Sequence, residues 1–369
     1  MMNFWQAVGI VLILFAFPIS FGLLSQFSPL ISQVSQSPNS SILSKKISPP
    51  VFKPQALSLT QIFSDNHQWT ATLSGEHLHT LIATGDVIPA RSVNYQTLQA
   101  NDFTWPFTHT AEILKQADLT FINLESPLVP NCPVTNEGMI FCGDPRHIEG
   151  LQFAGVDIVN LANNHLGNWG QEGIISTQQL LNQANILTTG CLGPTYTNIN
   201  GLRLAFLGYN DIPEFVPGLS QVDKNKIKTE VSRAKQQADI VIVAFHWGVE
   251  YTNQPTSRQQ ELAHWAIDAG ADLIIGNHPH WIQPVEIYQN KLIMYAHGNF
   301  IFDQMWSLET REGVIGRYVF YDKQLIDAQF LPIQINDFGQ PHLLEDQAKQ
   351  AILDKLQTIS LNLSISLNQ

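Results

Sequence analysis

The chain has 369 residues, 44% of them hydrophobic, with a formal net charge of -12 and a pI near 5.4. That length accommodates one large α/β domain or two smaller ones, and the hydrophobic content excludes wholesale disorder. An acidic chain with no Lys/Arg-rich run argues against nucleic acid as a partner.

The first informative segment is Phe4 to Leu24, FWQAVGIVLILFAFPISFGLL. It carries no charge, and at about 20 residues it is long enough to span the hydrocarbon core of a bilayer. No Lys or Arg precedes it and no A-x-A site follows it, so residues 1–25 read as an uncleaved anchor rather than a cleaved signal peptide. Lys45 and Lys46 lie too far away to set its orientation. Residues 26–75 are rich in Ser, Gln and Pro and read as a tether.

From about Leu78 short apolar runs alternate with amphipathic stretches, which predicts a largely parallel, buried sheet within an α/β domain over residues 76–340. The predicted strands are Leu81–Thr84, Leu119–Leu124, Ile158–Ala162, Leu202–Leu207, Ile240–Phe245, Leu273–Ile275 and Leu292–Tyr295. Helices are predicted over Ala111–Gln116, Gly173–Ala184, Lys224–Ala238 and Ser257–Ala269. Gly313–Ile335 alternates without a long helix and is expected to form antiparallel strands finishing a second sheet. A closing helix over Leu343–Leu356 is expected in the C-terminal segment, residues 341–369.

No CxxC pair is present, so the cysteines give a zinc-knuckle reading little support. Cys132 and Cys142 flank CPVTNEGMIFC. In an extracytoplasmic domain they can close a small disulfide loop; otherwise they are two unrelated thiols. Cys191 reads as a lone thiol near a strand end.

Nearly every predicted strand ends in a side chain of metal-ligand type. LIATGD ends in Asp86, LTFINLE in Glu125, and DIVNLANNH in Asn163, Asn164 and His165. DIVIVAFHWG supplies His246, ADLIIGNHPH supplies Asn277, His278 and His280, and LIMYAHGNF supplies His297 and Asn299. Ligands of open α/β sheets bind beyond the carboxyl ends of the strands. Carboxylate, amide and imidazole groups converging there suit a borderline divalent metal. Taken singly, each has an ordinary explanation: Asp86 and Glu125 as caps, Asn163 and Asn164 as turn formers, His246 as a satisfied core histidine. The close pair His278 and His280 is the hardest to explain that way, and His297 is balanced between ligation and a structural hydrogen bond. His109, His147, His264 and His342 fall outside strand ends and read as ordinary surface or helix residues.

In this order, TGDVIPAR, FINLESPL, NLANNHLGNWG, FHWGVEY and IIGNHPHWIQPVE followed by HGNFIFDQ resemble the CapA family of capsule and poly-γ-glutamate synthesis proteins, over about Leu78 to Ile335. That family is similar to the calcineurin-like metallophosphatases. The resemblance implies an α/β/β/α sandwich of two mixed sheets flanked by helices. It implies Asp86 as a metal ligand, Glu125 in the bridging-carboxylate place, Asn164 as a ligand, and His165 as proton donor to a leaving group. His246, His278 and His280 would complete the shell of one or two divalent ions, Zn, Mn or Fe. Two departures stand out: the usual D-x-H opening has Ile88 in place of its histidine, and the second aspartate is a glutamate. Asn277 stands where the family often has a histidine and is expected to support the site only from behind. Arg91, Asn163 and Asn299 are expected to bind substrate, with Arg311 a weaker candidate. The implied role is metal-dependent hydrolase chemistry on an anionic phosphoester or amide-linked polymer, in an extracytoplasmic domain beside membrane-bound synthesis or export partners. The alternative is a metal-containing scaffold that binds and helps export an anionic polymer without bond chemistry.

Overall fold

The computed structural model describes residues 54–367, except 140, 192, 214 and 215. The apolar segment Phe4–Leu24 and most of the tether lie outside the described residues. Among the described residues, no helix is long and apolar enough to cross a membrane.

The chain lays down strand β1 (Leu78–Val87), β2 (Leu119–Leu124), β3 (Ile158–Asn160) and β4 (Leu187–Thr189) as parallel neighbours. It then builds a second sheet from β5 (Thr195–Ile199), β6 (Leu202–Asn210), β7 (Ile240–His246), β8 (Leu273–Asn277), β9 (Val285–Tyr288) and β10 (Lys291–Met294). There β6, β7, β8 and β10 run parallel, and β5 and β9 close the two edges antiparallel. The chain returns to the first sheet with β11 (Asn299–Ile301), β12 (Glu312–Tyr321), β13 (Gln324–Asn336) and β14 (Gln340–Leu343). Both sheets are therefore mixed.

This return corrects the expectation for Gly313–Ile335, which joins the first sheet and not the second. β9 already covers the edge of β10, whereas β1 has an open edge. There β12 pairs antiparallel, from Leu78 opposite Tyr321 to Ala83 opposite Gly316. The closing helix starts at Asp346 and runs on to Leu367, burying Ile352, Leu356 and Ile359 against the core between the sheets.

Side-chain alternation explains the layering. In β7, Ile240, Ile242 and Ala244 face the other sheet, while Val241, Val243 and Phe245 face helices Lys224–Gln237 and Ser257–Asp268. In β2, Leu119 and Phe121 point inward and Ile122 and Leu124 point toward helices such as Gly170–Gln183. Strands buried on both faces read as continuous apolar runs, which is why they were legible. Each helix over the second sheet starts at a side-chain cap. Asp223 accepts from the Lys226 amide, and Thr256 forms a capping box with Gln259.

One close approach aligns the two strands that frame the centre of the first sheet. A Cβ built on Gly85 would lie 2.1 Å from the Gly298 carbonyl oxygen, which accepts the Asp86 amide at 3.0 Å. Gly85→Ala is expected to force β1 from β11 and cost about 1–3 kcal/mol, the usual price of overpacking, read as a lower urea midpoint at unchanged slope.

Candidate metal centre

The inward-facing stripe of each sheet ends in polar residues. On β2 the series Leu119, Phe121 continues to Asn123 and then Glu125; on β3, Ile158 is followed by Asn160; on β7 the series ends at His246; on β8, Leu273 and Ile275 are followed by Asn277. On β1, Leu81 and Ala83 face inward, so Asp86 would face outward by simple alternation. A β-bulge between Ala83 and Asp86 inserts one extra residue, and Asp86 falls opposite Asn123 instead. The register sets Asn299, Asp86, Asn123 and Asn160 in one row and Asn210, His246 and Asn277 in another.

The two rows meet. His246 Nε2 lies 2.7 Å from Asn164 Oδ1, 3.1 Å from His278 Nδ1 and 3.2 Å from Glu125 Oε1. Asp86 Oδ1 accepts from Asn123 Nδ2 at 2.8 Å; its Oδ2 lies 3.2 Å from His280 Nδ1 and accepts the His278 amide at 3.3 Å. Potential ligand atoms of Glu125, His278 and His280, and of Asp86, Glu125 and His246, each fall within 4.8 Å of one another, with Glu125 common to both sets. Asp86, Glu125, Asn164, His246, His278 and His280, all expected as ligands, are thus brought together. His278 and His280 adopt left-handed backbone, φ 99° and 57°. For non-glycine residues this costs on the order of 1–3 kcal/mol each and clusters at functional sites.

The electrostatics are those of a site short of positive charge. Burial pushes the Glu125 carboxyl well above its usual range, and the nearby Asp86 charge adds to this. Neither Glu125 oxygen accepts a hydrogen bond: the His246 contact is close enough for an ion pair but lacks hydrogen-bond geometry. Burial lowers His246 to about 3 and His278 well below the ordinary value, so both are lone-pair donors at neutral pH. His280 goes the other way. Burial opposes its charge, but the hydrogen bond to Asp86 and the charges of Glu125 and Asp86 prevail and raise it to about 9. A proton on His280 thus occupies the cationic role among these carboxylates. The donor set fits a divalent ion on these observations: two carboxylates, an amide oxygen and imidazole nitrogens converge with fewer protons than lone pairs.

His165 follows Asn164 and borders the cluster. Its Nδ1 lies 3.1 Å from Asn168 Oδ1, an oxygen that also accepts the Phe141 amide at 2.8 Å. Nδ1 therefore carries the proton and Nε2 a lone pair. Burial lowers His165 to about 4, so at neutral pH it is uncharged.

The three expected substrate contacts are placed differently. Asn163 is fully buried, its Nδ2 donating to Leu124 O at 2.8 Å and its Oδ1 accepting the Leu166 amide at 2.8 Å, so its side chain shapes the turn. Asn299 is also fully buried. Its Oδ1 faces His280 Nδ1 at 2.9 Å and its Nδ2 donates to Thr310 O at 2.9 Å, which orients His280. Arg91 sits at the rim, but its guanidinium is paired with Asp303 and donates to Gly138 O at 3.1 Å. Arg311 donates to Ile335 O and Asn336 Oδ1. His297 makes a structural hydrogen bond, Nε2 lying 2.8 Å from the Tyr318 hydroxyl.

Sequence reasoning passed over Asn123 and Asn160. Asn160 Nδ2 donates to Asn123 Oδ1 at 2.9 Å, and Asn123 in turn holds Asp86. A lone amide inside each apolar run, FINLE and DIVNL, was the available signal. Asn277 is buried with both side-chain polar atoms unpartnered, one strand from His246 in register. Cys132 and Cys142 are bridged, with Cα atoms 5.8 Å apart.

Fold and site together define a two-sheet α/β sandwich carrying a buried carboxylate–amide–imidazole centre at its strand ends. The sequence family described as bacterial capsule synthesis protein PGA_cap matches residues 80–304. The chain is 30% identical over 286 residues to the capsule biosynthesis protein CapA of Bacillus anthracis, covering 71% of this chain and 68% of that one. It is also 30% identical over 283 residues to the PGA biosynthesis protein CapA of Bacillus subtilis strain 168, covering 72% and 74%. Among solved structures, a novel phosphatase from Mycoplasma pneumoniae is similar with TM-score 0.47 and 16% identity, over 74% of this chain and 96% of that one. The chain belongs to the bacterial capsule synthesis protein family.

Proposed function

We propose that this chain is a metal-dependent hydrolase-type protein acting on an anionic substrate in the synthesis or export of a capsule polymer of the poly-γ-glutamate kind. The observation that carries the reading is the convergence of unprotonated donors on Glu125, whose two buried oxygens accept no hydrogen bond within the protein. Buried polar atoms are rarely left so, and a cation beside them removes the penalty. The names of the Bacillus relatives supply the capsule and polymer context.

Asp86, Glu125, Asn164, His246, His278 and His280 would hold one or two ions of Zn, Mn or Fe. When bound, such an ion supplies Lewis-acid polarisation of a phosphoryl or carbonyl oxygen. The protein's own residues do the rest. Asn123 and Asn299 fix Asp86 and His280. With its proton held on Nδ1 by Asn168, His165 accepts a proton at Nε2 and can return it to a leaving group. The Cys132–Cys142 bridge supports an extracytoplasmic placement, and Phe4–Leu24 would be the anchor.

Elemental analysis of the purified full-length chain, paired with turnover of a generic phosphodiester before and after chelation, tests this. Bound metal with chelator-sensitive turnover is expected. Bound metal without turnover, together with retention of polyglutamate, would establish the scaffold instead; absence of metal would end the reading.

A further inference from the structure

A cleft of about 440 Å³ opens beside the centre. Its lining residues touch residues of the site. Phe141 packs on His165 with ring centroids 4.2 Å apart, Tyr251 lies 6.2 Å from His280, and Gln304 bridges the Tyr251 hydroxyl and Asn299. The volume suits one moiety of a small ligand.

The cleft's charge is the unexpected part. Arg91 is its one basic side chain, and that charge is matched within the wall. The guanidinium pairs with the buried Asp303 carboxylate, which also accepts the Ser92 amide at 3.0 Å, and it lies 4.8 Å and 4.9 Å from the Phe141 and Phe302 ring centres. Glu137 adds a further acid, so the lining carries more acids than bases. A run of carboxylates entering here would meet net negative charge. Three apolar side chains of the wall are open to solvent, Met139 at 66%, Trp306 at 60% and Phe338 at 46%, and Trp306 stands edge-on to Tyr251 at 4.8 Å. Solvent-exposed apolar side chains gathered around one opening mark a binding surface.

Resting on the metal-centre reading, we infer that this cleft is a subsite for an uncharged, apolar or aromatic flank of the substrate. The ligand is then an amphiphile. Its single anionic group goes to the centre lined by Asp86, Glu125 and the histidines, and its neutral portion lies between Trp306, Tyr251, Met139 and Phe338. The polyglutamate chain itself does not thread the cleft.

The test compares phenylphosphonate with methylphosphonate by calorimetry on the metal-loaded full-length chain, with metal content measured in the same samples. Phenylphosphonate is expected to bind about tenfold more tightly, the ratio that a modest gain from aromatic burial produces. Trp306→Ala and Met139→Glu, both at exposed positions, are expected to bring the ratio to near one while leaving metal content and methylphosphonate affinity unchanged. Equal affinity for the two probes in the wild type would overturn the subsite, as would failure to bind either. Displacement of phenylphosphonate by a glutamate oligomer, undone by Trp306→Ala, would overturn it too. Loss of metal with the ratio preserved would sink the metal reading and leave the subsite standing.

Discussion

Glu125→Gln is expected to abolish the metal binding proposed for this centre while sparing the fold. Removing even a supporting partner of a metal ligand costs about 10–100-fold in affinity. Loss of the carboxylate common to both ligand groupings should cost at least the upper end of that range, measured by competition with a chelator of known affinity. Stability should move the other way. In the metal-free protein Glu125 is a buried carboxyl without hydrogen bonds, raised well above its ordinary value near 4.5. A folded-state value above the unfolded one means that the unfolded chain ionises first as pH rises, so Glu125's own contribution turns increasingly destabilising above about pH 4.5. With both proteins chelated, the variant should therefore melt at or above the wild type, and its advantage should widen toward neutral pH. A variant that keeps its metal, or one that melts well below the chelated wild type across that range, would mean that Glu125 serves packing.

The second large effect concerns His165. His165→Gln preserves size and polarity but removes the titratable ring nitrogen, and loss of general acid–base help typically lowers turnover about 10²–10⁴-fold. Metal content should not change, because the Nδ1 of His165 is turned to Asn168. Asn168→Ala should lower turnover less and also perturb the loop that ends at Phe141, since Asn168 Oδ1 holds both His165 and the Phe141 amide. If turnover of a phosphodiester survives His165→Gln within a factor of about three, well short of general acid–base losses, proton transfer lies elsewhere.

Much of this fold was legible because its central strands are buried on both faces. IVIVAFH and LIIGN have no polar side to confuse them with helices, and a ligand-type residue at the end of such a run stands out. Two of the short pieces were not legible. β4 and β11 have three residues each, too few to show any period, and they exist because neighbours pair with them. Nor could sequence say which sheet would take the β12–β13 hairpin, which depends on which strand edge is left open. At the centre, residue type flagged Asp86, Glu125, Asn164, His246, His278 and His280, but role depends on what each side chain touches. Asn163 and Asn299 look alike in sequence to Asn164. The first closes a turn, the second steadies His280, and only Asn164 reaches His246. Arg91 failed for the same reason. A lone arginine near a site looks free until its acid, Asp303, is found over two hundred residues away in sequence.

The bulge in β1 has a consequence beyond local geometry. Upstream of it, Leu81 and Ala83 lock the strand into the sandwich interior; downstream, Asp86 has exchanged sides. The hydrophobic order of the strand and the chemistry at its tip are consequently set by separate instructions. Shortening the stretch between them by one residue would remove the bulge and keep the carboxylate opposite Asn123 by plain alternation; lengthening it by one would instead aim the carboxylate at the helices, giving a protein that folds as before without one wall of the proposed ion site.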